Sequence, residues 1–261
     1  MKPRALVSSW LLLAVLLPGL ALAEEKAAAQ PSAQEVLRII DKRMSFTSDY
    51  KGTVRLREIR KDGVERAFEM NVFRRDSTHD VLFVMTQPRH MAGGGYLRID
   101  KNLWEYNPLV GQWERITRRA NLVGTIACEW DFDRSSLSED YEAKDEGTET
   151  IDGTTYRKLF LTGHSGLELT FTQLRLWVDP DYNVVKRIGY APSGRVLRTD
   201  IIKAYQRLKD PASGEWVTHY KEVFEFEDVE GTKMVVHYDS VELAPLSPNI
   251  FTKAFFEKRN R

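Results

Sequence analysis

Three carboxylates at a spacing of two, Glu129, Asp131 and Asp133, form a close set of chemistry-bearing side chains. On an extended strand they would share one face. That arrangement is a donor set for calcium or magnesium; the alternative is a carboxylate face turned to solvent. None of the five histidines, His79, His90, His164, His219 and His237, has a second His or Cys at zinc-ligand spacing. No metal is therefore assigned. Cys128 is the single cysteine, so no internal disulfide can form. It reads as a small buried hydrophobe, with a reactive or intermolecular thiol as the alternative. Gly93-Gly94-Gly95 lacks the G-K-[ST] ending of a phosphate loop. It fits a bulge or a close backbone approach at a strand start. There is no G-x-S-x-G elbow. No local set of acid, base and nucleophile marks a catalytic site, and no cofactor is implied.

Aromatic residues on β-rich segments are more prominent than any of these: Trp104, Tyr106, Trp113, Phe171, Trp177, Tyr190, Trp216, Phe224 and Phe226. They either fill an ordinary core or line an apolar cavity. A buried acyl chain gains about 0.8 kcal/mol per methylene, so such a cavity could hold a lipid with no catalytic group.

The elements that position these residues follow from patterning. The chain has 261 residues, with Lys plus Arg and Asp plus Glu both at 38. A neutral balance argues against a nucleic-acid binder, which needs excess cations to replace phosphate counterions. Lys2 and Arg4, the apolar run Leu11 to Leu17, Pro18-Gly19 and the small-residue motif Ala21-Leu22-Ala23 read as a secretory signal peptide over 1–23, cleaved after Ala23. No second long apolar run follows. The mature chain is expected to be soluble, without a transmembrane segment. Residues 24–31 read as a flexible lead-in, and 32–261 as one domain.

Ser32 and Glu35 form a capping box, and Val36, Leu37, Ile40 and Met44 follow at helical spacing. The period then changes to two. Val54 and Leu56 alternate with arginines, Lys61-Asp62-Gly63 makes a hairpin turn, and Phe68, Met70 and Val72 alternate with polar residues. Asp80 to Thr86 is apolar on both faces. Further strands are expected at 96–99, 103–106, 113–116, 156–161, 174–178, 184–190, 198–205, 216–227 and 233–243. Residues 117–145 break the rhythm and read as an insertion packed over the sheet. Arg118-Arg119 in it reads as a solvated turn or a partner contact. The whole is mainly β, an antiparallel sheet or barrel of about ten or eleven strands.

Four stretches in this order resemble the outer membrane lipoprotein-sorting proteins of the LolA-like superfamily, over about residues 33–257. They are Glu35 to Asp41; Gln87-Pro88 followed by Gly95-Tyr-Leu-Arg-Ile99; Leu103-Trp-Glu-Tyr-Asn-Pro108 with Gly111 and Arg115-Ile116; and Asn249-Ile-Phe-Thr252. The resemblance implies an incomplete antiparallel β-barrel, with helices covering its concave side. It also implies a periplasmic, non-enzymatic carrier of lipoprotein acyl chains or other lipid. Asp131-Phe132 and Leu137 match the family's insertion pattern. Glu129-Trp130 stand where it has a glycine and a small residue, and Ser136 where it has an acid. Members latch the closed lid with an arginine; Arg55, Arg57, Arg74, Arg75 and Arg98 all fall on expected strands, and none is assigned.

On this reading one lid stripe is Val36, Leu37, Ile40 and Met44, and the other is Trp130, Phe132 and Leu137. Phe83, Met85, Trp104, Tyr106, Trp113 and Trp177 face them from the sheet. Apolar cargo would compete with the lid's own side chains for the cavity. By analogy an inner-membrane exporter hands cargo over and an outer-membrane acceptor takes it from a monomeric carrier. The alternative is a periplasmic sensor or interaction module of an envelope-stress or exporter system, built on the same half-barrel.

Overall fold

The computed structural model describes residues 30–117 and 120–259. The leader, the cleavage site and most of the lead-in lie outside them, as do Arg118 and Arg119. The first helix, α1 (Ala33–Met44), starts at the expected capping box. Ser32 N–H donates to Glu35 Oε2 at 2.7 Å, and Glu35 N–H donates to Ser32 Oγ at 3.3 Å.

Six strands follow: β1 (Tyr50–Ile59), β2 (Glu65–Arg75), β3 (Asp80–Gln87), β4 (Gly95–Ile99), β5 (Asn102–Asn107) and β6 (Gln112–Ile116). A crossing segment, described from residue 120 to 140, carries short 3-10 turns at Leu122–Gly124 and Glu129–Phe132 and the short helix α2 (Leu137–Asp140). Seven more strands complete the sheet: β7 (Tyr141–Ile151), β8 (Thr154–Gly163), β9 (Gln173–Val178), β10 (Val184–Tyr190), β11 (Val196–Lys209), β12 (Trp216–Glu227) and β13 (Lys233–Leu243). A 3-10 turn at Pro248–Phe251 leads into α3 (Lys253–Arg259).

Among the described residues, thirteen strands form one sheet in the order β6-β5-β4-β3-β2-β1-β13-β12-β11-β10-β9-β8-β7. Every pairing is antiparallel, and β6 and β7 are left as edges, so the sheet does not close into a barrel. The count exceeds the ten or eleven expected. Much of the difference is β7, whose first residues fall within the stretch read as an insertion. Most of β7 is polar and exposed, as suits an edge strand kept from pairing with another chain. Its alternation therefore carries almost no hydrophobic signal.

The two faces of the sheet are covered differently. The inner face carries α1 and the crossing segment. On its N-terminal half Leu122, Ala127 and Phe132 pack on Val54, Leu56, Met70, Phe83 and Leu103. On its C-terminal half Val36, Leu37 and Ile40 of α1 pack with Leu137, Tyr141, Leu159, Leu161, Leu174 and Leu176. Burying each such side chain is worth roughly 1.5–3 kcal/mol. The outer face of β2 to β4 is covered by the C-terminal segment, where Ile250, Phe251 and Phe256 pack on Phe73, Leu82, Val84 and Leu97. Helices thus lie on both faces, not only on the inner one.

Gly95 makes the close approach expected of the glycine run: a Cβ there would sit 2.0 Å from the Phe83 carbonyl oxygen. Gly189 on β10 does the same for a side chain, since a Cβ would sit 2.4 Å from the Phe171 ring.

Polar groups bolt α1 down. The Asp41 carboxylate accepts from Ser135 Oγ at 2.6 Å and from the N–H groups of Leu137 and Ser138 at 3.0 and 2.7 Å. A residue of α1 therefore caps the first turn of α2. Gln34 Nε2 donates to the carbonyls of Ser138 and Tyr141, both at 3.1 Å, and its Oε1 accepts from Ala143 N–H at 2.9 Å. Asp41→Ala leaves three donors without this acceptor and should lower stability by about 1–2 kcal/mol. Urea unfolding at neutral pH measures the loss; an unchanged midpoint would mean that the cap is not stabilising.

Candidate functional site

Glu129, Asp131 and Asp133 hold the crossing segment, and each of the three pairs with an arginine. Glu129, 1% exposed, and Asp133 both pair with Arg98 of β4. Arg98 Nη1 and Nη2 donate to Asp133 at 2.6 and 2.9 Å, and its Nε donates to the His79 carbonyl at 2.7 Å. Asp131 pairs with Arg198 of β11, and Arg187 of β10 lies 3.6 Å from it. The turn's backbone is held as well. Arg74 Nη1 donates to the Phe132 carbonyl at 2.9 Å and Tyr238 OH to the Asp131 carbonyl at 3.2 Å. The carboxylates are thus neither a solvated face nor a free ligand set. Residues 129–132 form a 3-10 turn, so they do not share a strand face.

Burial alone would raise the carboxyl pKa values. The Arg98 hydrogen bonds and charge outweigh it and hold Asp133 at about 2. Arg198 and Arg187 likewise hold Asp131 below the usual carboxylate range against its burial. Around Arg198 the inner face carries further buried charge: Asp200 lies 2.9 Å from its Nε and 2.5 Å from Arg187. Glu225 lies 3.5 Å from Arg198, and burial pushes its carboxyl well up. Cys128 is buried and its thiol is pushed up by that burial and by Asp131, which fits the small-hydrophobe reading better than a reactive thiol.

The structure divides the sequence-based lining set into three groups. Val36, Leu37, Ile40 and Leu137 lie together beneath α1, with Trp130 and Met44 beside them. Phe83, Met85 and Phe132 lie together on the N-terminal inner face, with Phe83 and Phe132 edge to face at 5.4 Å. Trp104, Tyr106, Trp113 and Trp177 project from the side of the sheet opposite Phe83, a correction to the expected lining; of these, Tyr106 and Trp113 still border the cavity at the β5–β6 end, while Trp104 and Trp177 do not. Strand register is the reason: Leu97 pairs with Trp104 and Tyr106 with Trp113, which puts all three aromatics on the side opposite Phe83. Tyr106 and Trp113 pack on Phe256 at 5.2 and 5.1 Å, and Lys253 Nζ sits 3.3 Å from the Trp104 ring centre. Trp177 alternates with the inward Leu176 and Val178 and lies under Lys158 and Lys186.

Space remains beside Ile126, Phe171, Arg198 and Glu227, where it measures about 320 Å³, and to a larger extent at the β5–β6 end. A cavity of about 550 Å³ lies beside the β5–β6 turn. Met85, Met91, Tyr96 and Val123 give it apolar walls, Glu105 and Glu114 give it carboxylates, and Tyr106 and Trp113 also border it. The volume falls in the range of about 300–1,000 Å³ that takes small organic ligands. Under the end of α1, by contrast, the spaces bordered by Met44, Trp130, Phe132 and Leu137 hold only about 40 and 20 Å³. Val123 has a left-handed backbone, φ +48°, which is costly for a β-branched residue. Its N–H donates to Tyr96 OH at 2.8 Å.

Of the five candidate latch arginines, Arg98 is the one that holds Glu129 and Asp133; Arg187 and Arg198, also on expected strands, are not among those five. Register places Arg187, Arg198 and Asp200 on the same inward face, and the alternation of β10 and β11 does not mark that face as apolar. Among the described residues no group of three or more His, Cys, Asp or Glu is placed to hold a metal ion. No described helix is long and apolar enough to cross a membrane.

A family model described as "Uncharacterized protein" matches residues 77–258. No curated protein matches the sequence. The chain is similar in structure to a LolA superfamily protein from Nitrosomonas europaea, at 23% identity and TM-score 0.73, over 86% of this chain and 99% of that one. It is also similar to a putative outer membrane lipoprotein-sorting protein domain from Vibrio parahaemolyticus, at 17% identity and TM-score 0.73, over 86% and 98% of the two chains. A third is a DUF1329 family protein from Desulfovibrio piger, at 17% identity and TM-score 0.75, over 86% and 97%.

His219 lies behind the latched turn, stacked on Tyr50 at 5.2 Å. Burial, then the charge of Arg74, pulls its pKa down to about 4. The folded state thus favours the neutral ring, and the stability this gives is present above the unfolded pKa near ~6.5. It is lost as pH falls from there toward 4. Between those pH values the parent should lose roughly 2–3 kcal/mol more than His219→Phe. Chemical denaturation of both proteins at the two pH values reads the difference; parallel losses would assign the acid sensitivity to other groups.

Proposed function

From the premise that the chain belongs to the family matched over residues 77–258 and has the LolA-superfamily fold, we propose that it is a non-enzymatic periplasmic carrier of lipoprotein acyl chains or other lipid. The observation that carries this reading is a largely apolar inner face, roofed by a segment latched through buried arginine–carboxylate pairs and open at one end as a cavity of about 550 Å³. Such a roof has two states with different affinities for cargo. Closed, Leu122, Val123 and Phe132 occupy the apolar surface. Open, an acyl chain can replace them, and cargo shifts the balance by the difference.

The single domain over residues 32–261 is the carrying unit. An inner-membrane exporter would load it and an outer-membrane acceptor unload it. A second reading, a periplasmic sensor or interaction module, is favoured by one observation: α1 is bolted to α2 and β7, and the space beneath its end is almost filled.

Native mass spectrometry of protein purified from the periplasm without detergent tests the carrier. A co-purifying acyl-chain ligand is the expected result. A bare protein mass, with no uptake of added fatty acid, would overturn it in favour of the interaction module. The latch supplies a further test. Arg98→Gln removes the buried cation that Glu129 and Asp133 share, weakening the closed state by up to about 3–5 kcal/mol. Exchange of a fluorescent fatty acid should accelerate at least tenfold. Unchanged exchange in a folded variant would show that the segment is not a lid.

A further inference from the structure

The cavity at the β5–β6 end has a charge character of its own. Its depth is apolar, formed by Met85, Met91, Tyr96 and Val123. Its charged lining is two carboxylates, Glu105 and Glu114, with His90, Tyr96 and Tyr106 as the other titratable side chains. Glu105 and Glu114 are direct cross-strand partners on the inner side of β5 and β6. Like charges directly opposite each other destabilise a strand pair. Among the described residues neither has an ion-pair partner; Glu105 accepts a hydrogen bond from Tyr96 OH at 3.0 Å. Glu105 is half-buried and Glu114 exposed, so the two carboxylates sit at the solvent-facing mouth of the cavity, unlike the buried carboxylates that Arg98 and Arg198 hold.

Its rim is also apolar and uncovered. Leu109 and Val110, at the tip of the β5–β6 turn, are 85% and 62% exposed and border the same cavity. An alkyl chain passing over this tip reaches the methionine-lined depth while its head group stays beside the carboxylates. An anionic head group would add a third negative charge there, whereas a cationic one would relieve the Glu105–Glu114 repulsion.

We infer that this cavity selects single alkyl or acyl chains whose head group carries an ammonium, with Glu105 and Glu114 setting that preference. The inference rests on the carrier reading and narrows its ligand class. The chain supplies affinity through buried methylenes, and the carboxylates supply discrimination through their charge.

Calorimetric titration with three amphiphiles of equal chain length, each below its micelle concentration, tests this: dodecyltrimethylammonium, dodecyl maltoside and dodecyl sulfate. The ammonium should bind at least tenfold more tightly than the sulfate, with the maltoside between them. In Glu105→Gln/Glu114→Gln the preference should vanish while maltoside affinity stays within twofold; glutamine keeps an acceptor for Tyr96 OH. Met91→Trp, which fills a half-buried wall position, should weaken all three. Equal affinities in the parent, a preference that survives the double substitution, or binding insensitive to Met91→Trp would each overturn the inference while leaving a lipid carrier intact. Failure of all three amphiphiles to bind would overturn both.

Discussion

One five-residue turn ties together strands that lie far apart in the sheet. Glu129 and Asp133 pair with Arg98 on β4, and Asp131 pairs with Arg198 on β11. Five strands stand between β4 and β11, so the path along the sheet is six steps, roughly 29 Å. A fully extended five-residue segment spans at most ~18 Å, and this one is a compact 3-10 turn. The long arginine and carboxylate side chains make up part of the remaining distance, and both arginines must converge on the turn for all three carboxylates to be paired; the paired carboxylates in turn hold the two halves at that separation.

The same charges divide the inner face. Arg187, Arg198, Asp200 and Glu225 lie between one apolar cluster on β12, β13 and β1 to β5 and another on β7 to β10. Ile202 touches both clusters. Ions cannot be left buried alone, because losing one partner strands the other in a low-dielectric interior. The crossing segment therefore does more than cover apolar surface. It brings the carboxylates that make an arginine-bearing interior tolerable, while Phe132 fills one cluster and Leu137 the other.

Local pattern made much of this fold legible in advance. The capping box at Ser32, the Lys61-Asp62-Gly63 turn and the alternation of β1 and β2 depend on neighbours close in sequence, and the structure keeps them. β7 was hidden because an edge strand exposed on both sides has no apolar face to display. Alternation also shows that two faces differ without saying which is inner. Trp104, Tyr106 and Trp113 were apolar enough for a core, yet the C-terminal segment, more than 130 residues further along, supplies that core on the opposite side. The latch has the same character. Each of its ion pairs joins residues 31 or more positions apart, and no local spacing encodes such a pairing.

Energetics then separate two modes of loading. Breaking one buried pair costs about 3–5 kcal/mol, which roughly four to six buried methylenes would offset at about 0.8 kcal/mol each. Full opening of the roof breaks several pairs together, and needs cargo that buries correspondingly more chain. The cavity beside β5 and β6 needs none of this, because its wall from the crossing segment is Val123, upstream of the latched turn. Val123 is held in a strained backbone by one hydrogen bond from its N–H to Tyr96 OH, and that contact can yield while Arg98 and Arg198 keep their carboxylates. On the proposed carrier reading, a single chain would enter at the open end with the latch closed, and a bulkier cargo would have to displace the latch to follow. The order is set by where the charges lie: the roof is weakest where it is apolar and strained, and strongest where it is ionic.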